Sequence, residues 1–179
     1  MPPPTPVAIA LGSSLGDGVA TLTLAHAALT VQPGLRITRA SPLYATPPEG
    51  GVARGAFVNA VLAGESSLAP VDLLVLLKRL ELRLGRGSAR RWADRALDLD
   101  LLLYGDTVCD VATPAGPLTL PHPRMRARAF VLVPLARAWP GARDPRDGER
   151  YADLPAARVP LPVVGVLANA PPATATRAG

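Results

Sequence analysis

Hydrophobic positions along the chain fall into short blocks whose spacing changes from one block to the next. Val7-Ala8-Ile9-Ala10-Leu11 is an unbroken apolar run that ends in Gly12-Ser13-Ser14-Leu15-Gly16-Asp17, the pattern of a buried strand leaving into a turn. Asp17 is placed to cap a helix, because Val19, Leu22, Ala25, Ala28 and Leu29 then recur at three- and four-residue spacing up to the Pro33-Gly34 breaker. Leu35 to Ser41 predicts a second strand. After the loop Thr46-Pro47-Pro48-Glu49-Gly50-Gly51, the run Phe57-Val58-Asn59-Ala60-Val61-Leu62 predicts a third. Pro70 opens a second helix with the stripe Leu73, Leu74, Leu77, Leu80 and Leu84, and Gly85 is placed to end it. A polar loop rich in arginine follows, and then a fourth strand from Ala96 to Tyr104.

The order strand, helix, strand, strand, helix, strand is that of the ferredoxin-like split βαβ arrangement, so the expected fold class is α+β: an antiparallel sheet flanked by helices in three layers. Further on, Leu118-Thr119-Leu120-Pro121-His122-Pro123 reads as a short extended piece. Met125 to Ala138 reads as helical, with Pro134 starting or kinking a turn. Periodicity is lost from Gly141. The expected organisation is a single domain over 1–166 followed by an Ala- and Pro-rich tail over 167–179.

Composition narrows the function classes. At 179 residues and 49% hydrophobic the chain is long and apolar enough for one globular domain with a cleft, and it has no apolar run long enough to span a bilayer, so a soluble protein is expected. Met1-Pro2-Pro3-Pro4 lacks the basic and hydrophobic segments of a secretory signal, which makes the cytoplasm the expected address. A net charge of +5 points to an anionic partner, a nucleotide, a nucleic acid or an acidic surface. Lys78 is the only lysine among 19 basic residues, so arginine identity at any one place says little and arginine clustering says more. Cys109 stands alone and can form neither an internal disulfide nor a multi-thiolate metal site.

The sharpest local chemistry is Leu97-Asp98-Leu99-Asp100-Leu101. Side chains on a strand alternate between faces, so both carboxylates point one way and the leucines the other. Like charges at that spacing repel unless a cation sits between them. Hard oxygen ligands favour Mg²⁺, which is commonly held by one or two carboxylates together with substrate phosphates. An acidic outer face on a half-exposed strand is the other reading. Arg83, Arg86, Arg90, Arg91 and Arg95 lie just upstream around Gly85, Gly87 and Ser88, an inventory suited to a closing loop that stabilises charge on transferring phosphoryl oxygens. Without the aspartates, that loop reads as a solvated basic segment.

Trp92 inside the loop is suited either to stacking on a planar ligand or to packing the closed loop. Asn59, among apolar residues on a predicted inner strand, can offer an amide to a heterocycle or tie down backbone. His122 is rigidly presented between two prolines and followed by Arg124, Arg126 and Arg128, which makes a phosphate-facing role compatible with its setting. Neither G-x-x-x-x-G-K-[ST] nor a G-x-G-x-x-G after a strand is present, and His26 has no partner at metal-ligand spacing.

Taken in order, the motifs form a set: Ala10-Leu11-Gly12-Ser13-Ser14-Leu15-Gly16-Asp17, Ser41 to Pro48, Phe57-Val58-Asn59-Ala60-Val61, Leu80-Glu81, Leu84-Gly85-Arg86, Arg91-Trp92, Arg95, Leu97 to Asp100, Leu120-Pro121-His122-Pro123 through Arg128, and Phe130-Val131-Leu132. The set resembles the 6-hydroxymethyl-7,8-dihydropterin pyrophosphokinases of folate biosynthesis over about residues 7–140. The resemblance implies transfer of pyrophosphate from ATP to the hydroxymethyl group of the pterin, releasing AMP. It implies that Asp98 and Asp100 hold two Mg²⁺ ions with ATP, and that Arg86 and Arg95 clamp the triphosphate. It further implies a pterin pocket of Thr46, Pro47, Pro48, Phe57, Asn59, Trp92 and Phe130, and an ATP site of Lys78, Glu81, Arg91, Leu101, Thr119, His122, Pro123 and Arg128. The expected partners are these two small molecules, with no nucleic acid and no membrane, for a monomer. The chain departs from the family pattern at Ser14, where asparagine is usual, at Trp92-Ala93-Asp94-Arg95, where Trp-Gly-Pro-Arg is usual, and at Lys78, where glutamine is frequent.

Two other functions are compatible with the residues. A basic ferredoxin-like domain also suits RNA, but an RNA-binding sheet wants exposed aromatics on its central strands, and aromatic content is 4% with an acidic pair on the fourth strand. A pterin-binding pseudoenzyme is the third reading, against which the retained aspartates and arginines speak.

Overall fold

The computed structural model describes residues 3–13, 17–47, 56–85 and 97–168. In chain order they form β1 (Thr5–Ser13), α1 (Gly18–Thr30), β2 (Leu35–Ala40), β3 (Pro42–Thr46), β4 (Phe57–Ser66), α2 (Pro70–Leu84), β5 (Asp98–Tyr104), β6 (Cys109–Thr113), β7 (Gly116–Leu120), α3 (Ala129–Ala138) and β8 (Val163–Val166). The main sheet runs β5-β1-β4-β3-β8, with β2 also on β4, and the pairings within it are antiparallel. The expected α+β sandwich is therefore present, with α1 and α2 on one face of the sheet and α3 on the other.

Alternation along the strands builds two cores. Val7, Ile9 and Leu11 of β1, Ala60 and Leu62 of β4, and Leu99 and Leu101 of β5 pack with Leu22 and Leu29 of α1 and Leu73, Leu77 and Leu80 of α2. Ala8 of β1, Val61 and Ala63 of β4, and Leu102 and Leu103 of β5 pack with Val131, Leu132 and Leu135 of α3 and with Met125 and Tyr151. Leu102 and Leu103 share a face because β5 bulges there: Leu103 pairs with Ala8 and Leu101 with Ile9, leaving Leu102 as the extra residue.

Local signals read from the sequence act as expected at several ends. The Asp17 carboxylate accepts from the Ala20 N–H at 3.0 Å and caps α1. Pro70 opens α2, and the Gly85 N–H closes it on the Glu81 carbonyl. The predicted second strand instead stops at Ala40, and the chain continues as β3, so two strands share β4: β2 pairs along Leu62–Ser66 and β3 along Phe57–Asn59. At the break the Ser41 hydroxyl accepts from the Val61 N–H at 3.0 Å, and the Ser41 N–H donates to the Val61 carbonyl at 2.9 Å. β4 runs four residues past the predicted Leu62. The extended piece at Leu118–Leu120 is one arm of the β6–β7 hairpin. Met125–Ala127 is a separate 3₁₀ turn, and Pro134 lies inside α3 without ending it. Beyond Gly141, where periodicity fails, the chain still forms compact turns and β8, which lies on the edge of β3.

Candidate active site

The registers of β1, β4 and β5 place polar groups in rows across the sheet. Directly paired residues of an antiparallel sheet point to the same face. Asp98 pairs with Gly12, and Gly12 pairs with Asn59, so a carboxylate and an amide flank a residue that has no side chain. In the next row Asp100 pairs with Ala10, and Ala10 with Val61. On β1 the small residues Ala8, Ala10 and Gly12 take the α3 face while Val7, Ile9 and Leu11 take the other, which leaves space above the sheet near its Gly12 end. A Cβ on Gly12 would stand 3.2 Å from the Asn59 Oδ1.

A cavity of about 340 Å³ fills that space, closed on its far side by Arg128, Phe130 and Val131 at the start of α3 and by His122. Among the sequence-predicted site residues, it gathers Thr46, Pro47, Phe57, Asn59, Asp98, Asp100, His122, Arg128 and Phe130. Its two ends differ chemically. Asp98 and Asp100 on β5, with His122 in their field, make a charged end, and Thr46, Phe57 and Asn59 on β3 and β4 make an end with a ring and one amide. At the second end Asn59 Nδ2 donates to the Thr46 hydroxyl at 2.7 Å, which fixes the orientation of the buried amide. The Arg128 guanidinium lies 5.3 Å from the centre of the Phe130 ring, a cation–π contact at the start of α3.

His122 reaches the charged end because its N–H donates to the Leu102 carbonyl at 3.0 Å, directly after the cis peptide between Leu120 and Pro121. Burial holds its imidazole below the ordinary histidine range, while the nearby Asp100 carboxylate pulls it upward.

Other expected ATP-site residues surround the free edge of β5 rather than the cavity. Glu81 of α2 accepts the Leu99 N–H at 2.6 Å, and Lys78 Nζ donates to the same Glu81 oxygen at 2.8 Å and to the Leu99 carbonyl at 3.4 Å. Burial pushes the Glu81 carboxyl above its ordinary value, and the hydrogen bonds from Lys78 and Leu99 pull it back. The Leu101 side chain is buried in the α1–α2 core, so its backbone is what it can offer a ligand. Thr119 on β7 donates to the Asp110 carboxylate at 2.8 Å, and Pro123 is exposed beyond His122. Pro48, Arg86, Arg91, Trp92 and Arg95 lie outside the described residues.

The donor set fits Mg²⁺. Two carboxylates two residues apart share one strand face and one cavity, and among the described residues no group of three or more His, Cys, Asp or Glu side chains is arranged to enclose a metal. A hard cation that keeps water and phosphate oxygens in its shell suits such an open pair; a structural zinc site does not. Sequence reading missed Gly12, Ser13, Ala10 and Val131 as lining residues. The signal was the alternation of small and large residues over Val7–Gly12.

Comparison with known proteins identifies the family and the fold. Residues 8–140 match the family described as 7,8-dihydro-6-hydroxymethylpterin-pyrophosphokinase (HPPK). The 2-amino-4-hydroxy-6-hydroxymethyldihydropteridine pyrophosphokinase of Pseudomonas aeruginosa is 42% identical over 84% of this chain and 90% of its own length. The enzyme of the same name from Mycobacterium tuberculosis is 38% identical over 94% of this chain and 86% of its own. Among solved structures, an HPPK-DHPS chain in complex with substrates superposes with a TM-score of 0.70 at 12% identity over 86% of this chain, and Plasmodium falciparum HPPK-DHPS with 0.69 at 15% over 86%. This chain spans under half of those two proteins, 43% and 45%, and at such identity they speak for the fold. From the matched span and the similarity to whole curated enzymes, the chain belongs to the 7,8-dihydro-6-hydroxymethylpterin-pyrophosphokinase family.

Proposed function

We propose that Asp98 and Asp100 are the metal-holding pair for the reaction that family membership assigns to this chain, pyrophosphoryl transfer from ATP to hydroxymethyldihydropterin in folate synthesis. The observation that carries the assignment is the pair of rows Asp98–Gly12–Asn59 and Asp100–Ala10–Val61, which puts both carboxylates at one end of a cavity whose other end suits a flat heterocycle. Mg²⁺ bound there, two ions with ATP, supplies charge neutralisation for the phosphate oxygens.

The side chains divide the remaining work. Phe57 and Phe130 offer ring faces to the pterin, and the amide of Asn59, held by Thr46, reads its polar edge. Arg128 and His122 face the phosphates across from the aspartates. This orientation brings the pterin hydroxymethyl oxygen in line with the β-phosphorus of ATP: the new O–P bond forms as the bond to the α-phosphate oxygen breaks, and AMP leaves. Arg86 and Arg95 act as clamps on the triphosphate, Arg91 joins the ATP site and Trp92 joins the pterin pocket; all four belong to this proposal on the family pattern alone. A monomeric state belongs to it on the same footing, and a cytoplasmic location belongs to it as the expectation drawn from the sequence.

The test is AMP release from ATP and Mg²⁺ in the presence of 6-hydroxymethyl-7,8-dihydropterin, for the wild type and the Asp98→Ala, Asp100→Ala double variant. Pterin-dependent AMP that falls by at least about a thousandfold in the variant supports the assignment. A variant that keeps wild-type turnover removes the pair from the reaction.

A further inference from the structure

The only lysine of the chain stands beside the metal pair, on the far side of the strand that carries it. Lys78 rises from α2 at the free edge of β5, bonds Glu81 and the Leu99 carbonyl, and brings its Nζ within 4.0 Å of the Asp100 Oδ1 around that edge. The ammonium is anchored rather than wandering, because Glu81, with a side chain only 16% exposed, needs its charge compensated. A fixed positive charge next to a metal-ligating carboxylate opposes entry of a dication and favours entry of a polyphosphate.

We propose that Lys78 is a positioning residue that makes divalent-cation binding at Asp100 conditional on the nucleotide. Without phosphates its ammonium satisfies part of the Asp100 charge and weakens the site for a bare cation. With phosphates present, the same ammonium attracts them, so it shifts the preference of the site from a bare dication to a dication carried by a net-anionic polyphosphate. Glutamine at this position would retain a hydrogen-bonding group for Glu81 but carry no charge. The inference rests on Asp98 and Asp100 being the metal ligands, and its test separates the two ideas.

Mn²⁺ serves as the probe, its free concentration read by electron paramagnetic resonance with and without α,β-methylene-ATP. Lys78→Gln is expected to bind Mn²⁺ about fivefold more tightly than wild type when no nucleotide is present, the effect of removing one nearby charge at a part-exposed site. Lys78→Met should shift the same way, and Lys78→Arg should stay near wild type. For Mn²⁺ presented as its complex with the analogue the order should reverse, Lys78→Gln binding more weakly than wild type. Unchanged or weaker nucleotide-free binding in both neutral variants overturns the proposal, and so does a brace effect alone, in which melting temperature moves and the Mn²⁺ titration does not. Asp100→Asn supplies the separate control: if it binds Mn²⁺ with the analogue as well as wild type does, the metal assignment itself fails. Loss of binding there with no change at Lys78 sinks the lysine proposal only.

Discussion

Thr46 shows how much of the pocket depends on one hydrogen bond. Its hydroxyl accepts from Asn59 Nδ2 in a buried setting and so decides which way the amide faces the cavity. Thr46→Val keeps the shape and removes the acceptor. The KM for the pterin is expected to rise about tenfold while kcat changes little, since about 1.4 kcal/mol of ground-state orientation is lost. Steady-state kinetics with varied pterin checks this, and a fall in kcat at unchanged KM would assign Thr46 to the transition state instead. Legibility at this scale followed the strand period. Asp98, Asp100 and Asn59 stood out because a polar side chain on an apolar strand asks for a partner. The role of Glu81 was not legible as a structural one, because its bond to the Leu99 N–H exists only once α2 has docked against the edge of β5, and nothing in the local pattern encodes that docking.

Among the elements, β4 is the central plank, paired to β1 on one side and to both β2 and β3 on the other. Gly64 sits where the β2 register shifts, and a Cβ there would stand 2.2 Å from the Arg36 carbonyl oxygen, a backbone atom that cannot swing aside. Gly64→Ala is therefore expected to cost about 3 kcal/mol, measured by urea unfolding, or to leave the protein unfolded. A variant within about 0.5 kcal/mol of wild type would show that β2 can slide away freely. The helices and the inner strands were readable because each buries a continuous stripe or face. β3, β6 and β8 were not. Val163, Val164 and Val166 of β8 are exposed, β6 is mostly exposed, and β3 begins at a proline, so none shows the alternation that burial of one face imposes.

Over the whole molecule, stability rests on two cores and on a charged clasp behind α3. There Asp144, almost fully buried, accepts from Arg126 at 2.9 Å and from Arg146 at 2.5 and 2.8 Å, and Arg126 also binds Asp147 and Glu149. The Arg146 bonds hold the Asp144 carboxyl far below the ordinary carboxylate range, so this contribution is complete above the unfolded carboxyl's pKa of about 4, fades as pH falls below it and is gone only in strong acid. His26 acts earlier. Burial on α1 lowers its pKa, so the unfolded chain takes up a proton that the folded one refuses. Its contribution is complete above about pH 6.5 and is lost as pH falls below that value toward the folded pKa. Urea unfolding should accordingly show lower stability at about pH 5.5 than at about pH 7.5, and His26→Leu should flatten that slope. An unaltered slope would assign the loss to His122, whose pKa is lowered in the same direction.

The extra residue in β5 divides that strand into two halves with different duties. On a regular strand Asp98, Asp100, Leu102 and Tyr104 would all face α3. The bulge instead turns Tyr104 toward the other side, where its hydroxyl donates to the Leu68 carbonyl at 2.7 Å. The first half is thereby free to carry charge toward solvent and ligand, while the second is committed to oil on both faces. The strand can thus be recoded at Asp98 and Asp100 without rewriting the residues that hold it in place, and the chemistry proposed for it and its cohesion are written on separable stretches of one segment.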